Sequence, residues 1–313
     1  MDFKRYLLGI LLAANVNGAC SHSEPVISKA SLSSRFEDNN LSLNDKLITE
    51  AAQSVQLVEA SARYKVNYFG DVYEDELTKR GSAILLSEIN GEYYFLTAHH
   101  VVDMPPTISS TASLSQSSIS RSSAGIETLL DLEVGKGIKK ALTSSIAAAT
   151  MIGNYDLSVG GINGGRIVCS DESLDYAVVA APRNNQLVPL NHNPQLMIGN
   201  SGEITAADYT YTIGYSLALG RFTSAGNISS ENLPLGMNNH LRLERRDAFS
   251  FTSPISRGNS GGPVLATAGG KLYLIGIAVA YFVDGQNLNI AMKINDILAD
   301  IGKRGCLDLT KLK

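Results

Sequence analysis

Residues 258–263 read Gly-Asn-Ser-Gly-Gly-Pro, and this stretch decides which fold the rest of the chain is expected to adopt. Glycines on both sides of Ser260 predict a tight turn, because glycine tolerates backbone angles and close approaches that a side chain forbids. Such a turn directs the backbone N–H groups of Gly258 and Ser260 to one side, where they are predicted to bind a developing oxyanion. The stretch therefore predicts a serine that reacts.

Two upstream motifs supply the groups that a reactive serine needs. Residues 97–101 read Thr-Ala-His-His-Val, and residues 174–179 read Leu-Asp-Tyr-Ala-Val-Val. A serine hydroxyl is a weak nucleophile at neutral pH, so it needs a base within hydrogen-bond reach and an acid that holds the base in the right tautomer. Histidine suits the base because its ordinary pKa is about 6.5. A histidine, an aspartate and a serine in this order predict a serine hydrolase.

The order of these residues along the chain distinguishes between the folds that carry this chemistry. Residues 258–262 also satisfy Gly-x-Ser-x-Gly, the nucleophile elbow of α/β-hydrolases, but those enzymes place the histidine after the serine. A subtilisin-like order would need the aspartate before the histidine, and the glycine-rich contexts expected there are absent. All five histidines of this chain precede Ser260: His22, His99, His100, His192 and His240. Both alternatives therefore fail, and the order His-Asp-Ser remains.

The composition indicates a globular, β-rich protein. The 313 residues have room for one large or two small domains, and 44% hydrophobic and 18% charged residues exclude disorder throughout. Twenty-eight glycines and few helical patterns favour short strands joined by tight turns. The net charge of −4 gives no electrostatic reason to expect nucleic acid as a partner. No Cys-x-x-Cys pattern or His/Cys cluster suggests a metal, and no cofactor is expected.

Residues 1–20 are predicted to be an export signal. An apolar run over residues 6–14 follows a short basic stretch and is too short to be a good membrane span. Small residues before Cys20 are typical of a lipoprotein processing site, although Asn17 stands where that pattern usually has leucine. Two outcomes stay open, acylation of Cys20 or simple cleavage near Ala19. Either predicts a periplasmic, cell-envelope or secreted protein that touches a membrane only through a lipid anchor.

The chain has three cysteines, and removal or acylation of Cys20 leaves Cys169 and Cys306. In an oxidising compartment these two are able to form one disulfide. Spacing along the chain does not establish that they lie within reach of each other. The pair is therefore a candidate disulfide.

Strand and turn patterns divide the chain into two β-rich halves. Residues 81–87 and 93–97 are strand-like and flank Asn90-Gly91, a strong hairpin signal because both residues tolerate positive φ. Residues 272–283 are apolar throughout, which at this length indicates a buried strand. About twelve short strands in two groups suit two packed β-barrels.

These patterns predict an all-β fold with the following domain organisation. Residues 21–50 are interpreted as a tether that ends in a short helix. Residues 51–186 are predicted to form an N-terminal β-barrel with a serine-rich insertion over residues 104–150. Within this insertion, residues 104–125 are expected to be a mobile surface segment and residues 138–150 a short helix. Residues 187–313 are predicted to form a C-terminal β-barrel and a short closing helix.

With these motifs in place, the chain resembles the chymotrypsin-fold (trypsin-like) serine proteases and is most similar to their HtrA-like bacterial branch. The three motifs carry the resemblance, together with Tyr-Thr-Ile-Gly-Tyr-Ser-Leu-Ala-Leu-Gly-Arg over residues 211–221, and it extends over residues 52–303. It implies two packed six-stranded β-barrels with a short C-terminal helix. HtrA-like proteins usually carry a PDZ domain after the protease. Here the chain ends ten residues after the predicted helix, so we expect no such domain and a monomeric protein.

The resemblance also implies a role for each residue of the motifs. The family pattern Thr-Ala-x-His falls on residues 97–100, which makes His100 the base and His99 the weaker alternative. Asp175, directly before an apolar run, matches the orienting aspartate, and Ser260 matches the nucleophile. The other candidates are expected to be solvated surface or loop residues: Asp171, Glu172, His22, His192 and His240.

Two positions depart from the trypsin pattern. Asn259 replaces the aspartate that pairs with a newly cut N-terminus in trypsin-type zymogens, so activation by such an ion pair is not expected. Pro254, six residues before the serine, stands where specificity for basic side chains would need an acid. A second pocket wall is expected from Val279, Ala280 and Tyr281. We infer a preference for small or medium apolar side chains, and Arg257 faces either substrate or solvent.

Three functional hypotheses follow. The first is an exported serine endopeptidase that hydrolyses polypeptides through an acyl-enzyme intermediate. The second is a catalytically silent member of the fold that binds a peptide or another envelope protein, with the serine-rich insertion covering the cleft or contacting the partner. The third is an esterase that uses the same mechanism on non-peptide substrates. An intact set of three matched groups favours the first hypothesis.

Overall fold

Short strands dominate the part of the chain that the computed structural model describes, namely residues 38–108, 126–128, 131–134, 136, 138–139, 147–184, 187–192, 196–233, 247–282 and 286–312. In chain order the strands in these ranges are β1 (Val55–Tyr68), β2 (Asp71–Ile89), β3 (Glu92–Thr97), β4 (Thr107–Ile108), β5 (Ile126–Thr128), β6 (Asp131–Val134), β7 (Ala147–Met151), β8 (Asp156–Val159), β9 (Ile162–Asn163), β10 (Arg166–Asp171), β11 (Tyr176–Pro182), β12 (Leu196–Ile198), β13 (Tyr209–Tyr215), β14 (Arg221–Ser230), β15 (Ala248–Phe251), β16 (Pro263–Ala268), β17 (Lys271–Phe282) and β18 (Asn289–Lys293).

Helices are few in the described ranges. The α-helices are α1 (Asp38–Gln53), α2 (His99–Val102) and α3 (Ile294–Arg304), and single 3-10 turns occur at Leu190–His192, Ser216–Ala218 and Leu309–Leu312. None of these helices is long and apolar enough to cross a membrane. Residues 42–313 belong to one unit, which contains all of the strands.

The first sheet is built around the long hairpin of β1 and β2. Its strand order is β10-β11-β3-β2-β1-β7-β4, with β6, β8 and β9 paired beside this path. The turn between β2 and β3 has Asn90 at φ 53° and Gly91 at φ 81°, so both residues lie in the left-handed region that a tight hairpin turn demands. The hairpin predicted from Asn90-Gly91 is confirmed. The end strands β10 and β4 do not pair with each other in the described ranges, so this sheet curls without closing.

The second sheet closes on itself. Its order is β12-β17-β16-β13-β14-β15-β18, and an additional pairing of β17 with β18 joins the six strands β13 to β18 into a barrel. The predicted apolar strand is β17, which pairs with both β16 and β18. An all-β, chymotrypsin-like fold with a short C-terminal helix is therefore confirmed; of the two six-stranded barrels expected, the second is closed and the first is a curled, open sheet. The first sheet stays open whereas the second closes, because a barrel closes only where its end strands meet in register.

Two predicted segments look different in the structure. The helix expected at the end of residues 21–50 is α1, which begins at Asp38 and runs to Gln53. Residues 104–125 were expected to be mobile and residues 138–150 to contain a helix, yet β4 begins at Thr107 and β7 begins at Ala147. Edge pairing explains this, because β4 pairs with β7, β6 with β2, and β5 with β17 of the second sheet. Residues 1–37 and 109–125 lie outside the described ranges, and so does Cys20.

The core consists of inward-facing side chains from both sheets. Most of these side chains are aliphatic, and the fully buried aromatic rings among them include Tyr93, Phe95, Tyr176, Phe249 and Phe251. Helix α3 covers one side of the core through its buried isoleucines at Ile294, Ile297 and Ile301, which the helical repeat places on one face.

Ser82, on β2, joins the first sheet to the loop that carries Ser260. Its N–H donates to the Ser260 carbonyl oxygen at 2.7 Å. Its hydroxyl donates to the Gly258 carbonyl at 2.7 Å and accepts from the Tyr215 N–H at 2.8 Å. Its own carbonyl accepts from the Thr97 hydroxyl at 2.7 Å. One buried residue of the first sheet is thus bonded to the residues on both sides of Asn259 and to the end of β3.

Glycines allow this close approach. A Cβ added to Gly261 would lie 2.3 Å from the Ser82 carbonyl oxygen, and one added to Gly81 would lie 2.8 Å from the Ser260 carbonyl oxygen. Gly261 also has φ 80°, in the left-handed region where only glycine is unstrained. Only glycine therefore fits at position 261, which explains one of the two glycines that follow Ser260.

We predict that Phe95→Ala destabilises the fold by about 3–5 kcal/mol, because it removes a fully buried ring from the core and leaves a cavity. Phe69→Ala is the matched control, since the Phe69 side chain is 73% exposed and its loss should cost less than about 1 kcal/mol. Urea unfolding of both variants measures the difference. Equal losses would contradict the assignment of Phe95 to the core.

A second prediction concerns the hydroxyl of Ser82. Ser82→Ala removes one donor and one acceptor from buried partners, so the free energy of unfolding should fall by about 1–3 kcal/mol. Ser87→Ala is the control, because Ser87 is equally buried on the same strand and its hydroxyl has no hydrogen-bond partner in the described part of the chain. Urea unfolding should show little change for Ser87→Ala. A loss of the same size in both variants would refute the importance of the Ser82 hydrogen bonds.

Candidate active site

His100 lies on the single-turn helix α2, directly after β3. Its Nδ1 lies 2.7 Å from Asp175 Oδ2, and its Nε2 lies 2.6 Å from Ser260 Oγ. The preceding residue, His99, points elsewhere because neighbouring helical residues are separated by about 100° around the axis. His99 Nδ1 is buried and has no hydrogen-bond partner among the described residues. The structure therefore brings His100, and not His99, together with the predicted aspartate and serine.

Asp175 holds both the backbone and the ring of His100. One carboxylate oxygen, Oδ1, accepts the His100 N–H at 3.0 Å, and the other faces the ring at 2.7 Å. Asp175 has φ 44°, a left-handed conformation that costs free energy for a residue with a side chain. Such a conformation persists only where the surrounding structure enforces it. The turn between β10 and β11 supplies that enforcement.

Asp171 organises this turn, so its prediction as a solvated loop charge is wrong. Its Oδ1 accepts hydrogen bonds from the Ser173 N–H, the Ser173 hydroxyl and the Leu174 N–H, and Arg304 forms an ion pair with Oδ2. Burial alone would raise the pKa of Asp171, but the hydrogen bonds from Ser173 and Leu174 and the charge of Arg304 outweigh it and lower that pKa. Glu172 is exposed, as predicted.

The C-terminal helix supports the same turn, which the sequence analysis did not anticipate. Arg304 Nε also donates to Asp300 at 2.6 Å, and the Tyr176 hydroxyl donates to Asp300 at 2.6 Å. Tyr176 directly follows Asp175, so α3 fixes the chain on one side of that aspartate while Asp171 fixes it on the other. Nothing in the sequence signals this long-range contact, because about 125 residues separate its partners.

Cys169 and Cys306 lie next to each other beside this contact. Both are free thiols in the structure. Burial raises the pKa of Cys169 to about 12, and a hydrogen bond with Cys306 adds to the increase. The two cysteines are therefore neighbours, which the sequence could not establish.

The loop before Ser260 presents two backbone donors. The Arg257 carbonyl accepts the Leu217 N–H at 2.7 Å, and because the carbonyl and N–H of one peptide point in opposite directions, the Gly258 N–H faces away from Leu217. Neither the Gly258 N–H nor the Ser260 N–H has a protein acceptor in the described ranges. Gly258 has φ 93°, and a Cβ there would lie 2.1 Å from the Tyr215 carbonyl oxygen. Both predicted oxyanion donors are thus available, and glycine is required at position 258.

Asn259 anchors this loop through neutral hydrogen bonds. Its side chain is buried, and Oδ1 accepts from the Ser216 hydroxyl at 2.6 Å and from the Ser256 N–H at 3.3 Å. A Cβ on Gly214 would lie 2.7 Å from the Asn259 amide nitrogen, so Gly214 makes room for this side chain. Trypsin-type zymogens carry a charged aspartate at this position, whereas here the neutral side chain of Asn259 makes the hydrogen bonds.

The predicted pocket residues flank the same loop. Pro254 and Arg257 are exposed, Val279 and Ala280 are each 2% exposed, and Tyr281 is half-buried. Asn289, which the sequence analysis did not select, is buried opposite Tyr281 on β18, and its side-chain amide donates to the Ser253 carbonyl at 2.8 Å. Asn289 therefore links β18 to the segment that begins the serine loop.

The remaining predicted histidines stand apart from this group. His192 is exposed in a 3-10 turn, as expected for a surface histidine. His22 and His240 lie outside the described residues. Among the described residues, no cluster of three or more His, Cys, Asp or Glu side chains could hold a metal ion.

Known proteins share this architecture. Residues 81–277 match the family described as trypsin-like peptidase domain. A probable serine protease do-like from Buchnera aphidicola is 33% identical over 131 residues, which cover 41% of this chain and 24% of that protein. The chain thus spans about a quarter of the length of the curated relative it matches.

Two solved structures are similar to this chain at low sequence identity. An HtrA-type protease solved with a decapeptide has a TM-score of 0.52 at 20% identity, covering 83% of this chain and 67% of that one. The crystal structure of Deg5 has a TM-score of 0.47 at 17% identity, covering 85% of this chain and 94% of that one. The first likeness shows a shared fold. Because the family match covers more than half of the chain and includes the Ser260 loop, the chain belongs to the trypsin-like peptidase domain family.

Proposed function

We propose that this protein hydrolyses peptide bonds through an acyl-enzyme intermediate, with Ser260 as the nucleophile, His100 as the general base and Asp175 as the group that orients His100. The observation that carries the proposal is the unbroken chain of contacts from Asp175 Oδ2 to His100 Nδ1 at 2.7 Å and from His100 Nε2 to Ser260 Oγ at 2.6 Å. These are the distances at which a base removes a proton from a hydroxyl.

The proposed reaction runs in two halves. Ser260 Oγ attacks the substrate carbonyl carbon while its proton passes to His100 Nε2, and Asp175 stabilises the imidazolium that forms. The N–H groups of Gly258 and Ser260 bind the negative oxygen of the tetrahedral intermediate, and each donor is worth about 3 kcal/mol. His100 then donates the proton to the leaving amine. Water releases the acyl group from Ser260 by the same steps in the second half.

A polypeptide substrate is the part of the proposal that rests on similarity. An HtrA-type protease with the same fold was solved with a decapeptide, and we extend this substrate class to the present chain. Pro254 contributes no charge to the pocket, and the buried Val279 and Ala280 are apolar, so the proposed preference is for small or medium apolar side chains. The esterase hypothesis shares this machinery, whereas the silent-binding hypothesis leaves the contacts of His100 unexplained.

Export is proposed from the sequence of residues 1–20, with Cys20 either acylated or removed. The candidate disulfide between Cys169 and Cys306 fits such a location, because the hydrogen bond between their thiols places the two sulfurs side by side. An oxidising compartment would supply the oxidant for this pair.

A fluorophosphonate probe tests the proposal directly. The purified chain should be labelled at Ser260, and Ser260→Ala should abolish both labelling and peptide hydrolysis while leaving the urea unfolding midpoint almost unchanged. His100→Ala should lower the labelling rate by about a thousandfold or more, because the hydroxyl loses its base. His99→Ala is the matched control and should retain labelling.

Retained proteolysis in Ser260→Ala would overturn the assignment of the nucleophile. Absence of labelling in the folded wild-type chain would support the silent-binding hypothesis. Labelling combined with cleavage of small esters but of no peptide would support the esterase hypothesis.

A further inference from the structure

Lys79 is a buried lysine directly beneath the helix that carries His100. It lies on β2 and its side chain is fully buried. Its Nζ donates to the His100 carbonyl at 3.1 Å and also to the Asp103 carbonyl. Lysine is rarely buried in this way, because removing an ammonium from water is costly unless strong acceptors compensate. The two carbonyls are the acceptors that hold the ammonium here.

These carbonyls belong to the end of a very short helix. Helix α2 has four residues, so its C-terminal carbonyls have no partners within the helix. A cation at the C-terminal end of a helix and an anion at the N-terminal end are both stabilising. Lys79 supplies the cation, and Asp175, which accepts the His100 N–H, supplies the anion. His100 is therefore held by its N–H, by its carbonyl and by its ring.

We propose that Lys79 is a positioning residue for the hydrolytic reaction, whose protonated side chain holds the His100 turn at the distance from Ser260 that proton transfer requires. This inference rests on the proposed function. The neutral amine retains hydrogens to donate, but its hydrogen bonds are about half as strong as those of the ammonium. Loss of the proton therefore loosens the turn without releasing it, and the reaction slows without stopping.

The charges around Lys79 are few. Its neighbours across the sheet, Ala60 on β1 and Leu132 on β6, carry none. The carboxylates that act on it are those of Asp103 and Asp175. Burial lowers the pKa of Lys79 to about 8, and these two carboxylates oppose the decrease.

Two phenols lie on the same side, those of Tyr64 and Tyr155, and burial followed by the charge of Asp103 raises the pKa of each. Both phenols therefore stay neutral while Lys79 titrates. The proton released near pH 8 in this region belongs to Lys79.

The consequence is a distinctive pH profile. Above pH 8 kcat/KM should fall to a plateau about three- to tenfold lower, and kcat should account for most of the fall. The free energy of unfolding should change in the opposite direction and rise with pH. Because the folded pKa lies below the unfolded value of 10.5, the unfolded chain binds more protons between these pH values, and the contribution of Lys79 to unfolding free energy rises with pH. A change in stability caused by Lys79 therefore cannot explain the loss of activity near pH 8.

The experiment compares the pH profiles of the wild-type chain, Lys79→Met and a control, Lys65→Met, which removes an exposed lysine from β1. Lys79→Met should lower kcat/KM at pH 7 by about tenfold or more, and its profile should lack the step near pH 8. Lys65→Met should keep the step. A step that persists in folded Lys79→Met would overturn the proposal.

A second measurement covers the case in which Lys79→Met does not fold. NMR of the wild-type chain with labelled lysine side chains should show one lysine that titrates near pH 8, together with the step in activity. A Lys79 signal that titrates near its ordinary value of 10.5 would refute the proposal. Fluorophosphonate labelling at pH 7 separates this failure from failure of the proposed function, since Ser260 would still be labelled if Lys79 had no role, whereas no labelling would occur if Ser260 were not the nucleophile.

A different observation supports a second inference, which concerns β5. The Gly261 N–H donates to the Ala278 carbonyl at 2.8 Å, so the serine loop lies against β17 at Ala278. Only two residues further along, Ala280 of β17 pairs with Thr128 of β5 in antiparallel register, followed by Tyr281 with Glu127. The other edge of β17 is occupied there by β18. One edge of β17 therefore carries β16, the serine loop and β5 in succession.

Extended peptides commonly bind proteins by adding a strand to an exposed sheet edge. An extended substrate that reaches Ser260 along β17 needs the edge that β5 occupies. We infer that β5 is a self-bound strand that blocks the peptide-binding edge and competes with substrate. This inference too rests on the proposed function.

Proline substitutions test the inference, because proline cannot donate to a strand ladder. Successive N–H groups of a strand point to opposite sides, so either Glu127→Pro or the double variant Ile126→Pro with Thr128→Pro removes the donors that face β17. At least one of the two should raise kcat/KM for an extended peptide about fivefold or more, mainly by lowering KM. Ser117→Pro, in the same serine-rich stretch but outside the described residues, is the control.

Unchanged or lower peptide hydrolysis in both variants would overturn this role of β5. The fluorophosphonate labelling rate measured beside it keeps the two proposals distinct. Labelling without a gain in peptide hydrolysis would contradict only the self-bound strand, whereas absence of labelling would contradict the proposed function itself.

Discussion

The contact between Ser82 and the Ser260 loop is the constraint on which the rest of the site depends. Ser82 bonds to the carbonyls of Ser260 and Gly258 in one direction and accepts the Thr97 hydroxyl at the end of β3 in the other. The chain turns from β3 into the helix of His100 directly after Thr97. A single buried residue of the first sheet therefore links the segment that leads into His100 to the loop that carries Ser260.

Charged side chains also hold the helix that carries His100. The His100 turn has Asp175 at its amide and the buried ammonium of Lys79 at its carbonyl, so ionic groups hold it from both ends. The loop that carries Asp175 is held by Asp171 and Arg304. Arg304 lies on the C-terminal helix. Residues from the first and last thirds of the chain thus support one imidazole, and burial strengthens the hydrogen bonds of Lys79 and His100 by excluding water.

Local patterns in the sequence were sufficient for the fold class and for selecting Asp175, Ser260 and a pair of adjacent histidines as candidates for the site. Asn90-Gly91 predicted a hairpin because its conformational freedom is a property of two adjacent residues, and β17 was evident from an unbroken apolar run. The order of His100, Asp175 and Ser260 excluded other folds. The interpretation of Asp171 as a solvated charge was wrong because its partner, Arg304, lies 133 residues away and no local pattern announces it.

What the sequence determined by itself was therefore chemistry and class: a histidine, an aspartate and a serine in one order, glycines around the serine, and strands enough for two β units. Only the tertiary structure decided which of two adjacent histidines meets the serine, that Lys79 is buried beneath it, and that β5 pairs with β17 next to Ser260. The physical reason is the distance along the chain over which each kind of interaction acts. Turn and strand preferences act between neighbours in sequence, whereas burial and hydrogen bonding depend on distances that exist only after the chain has folded.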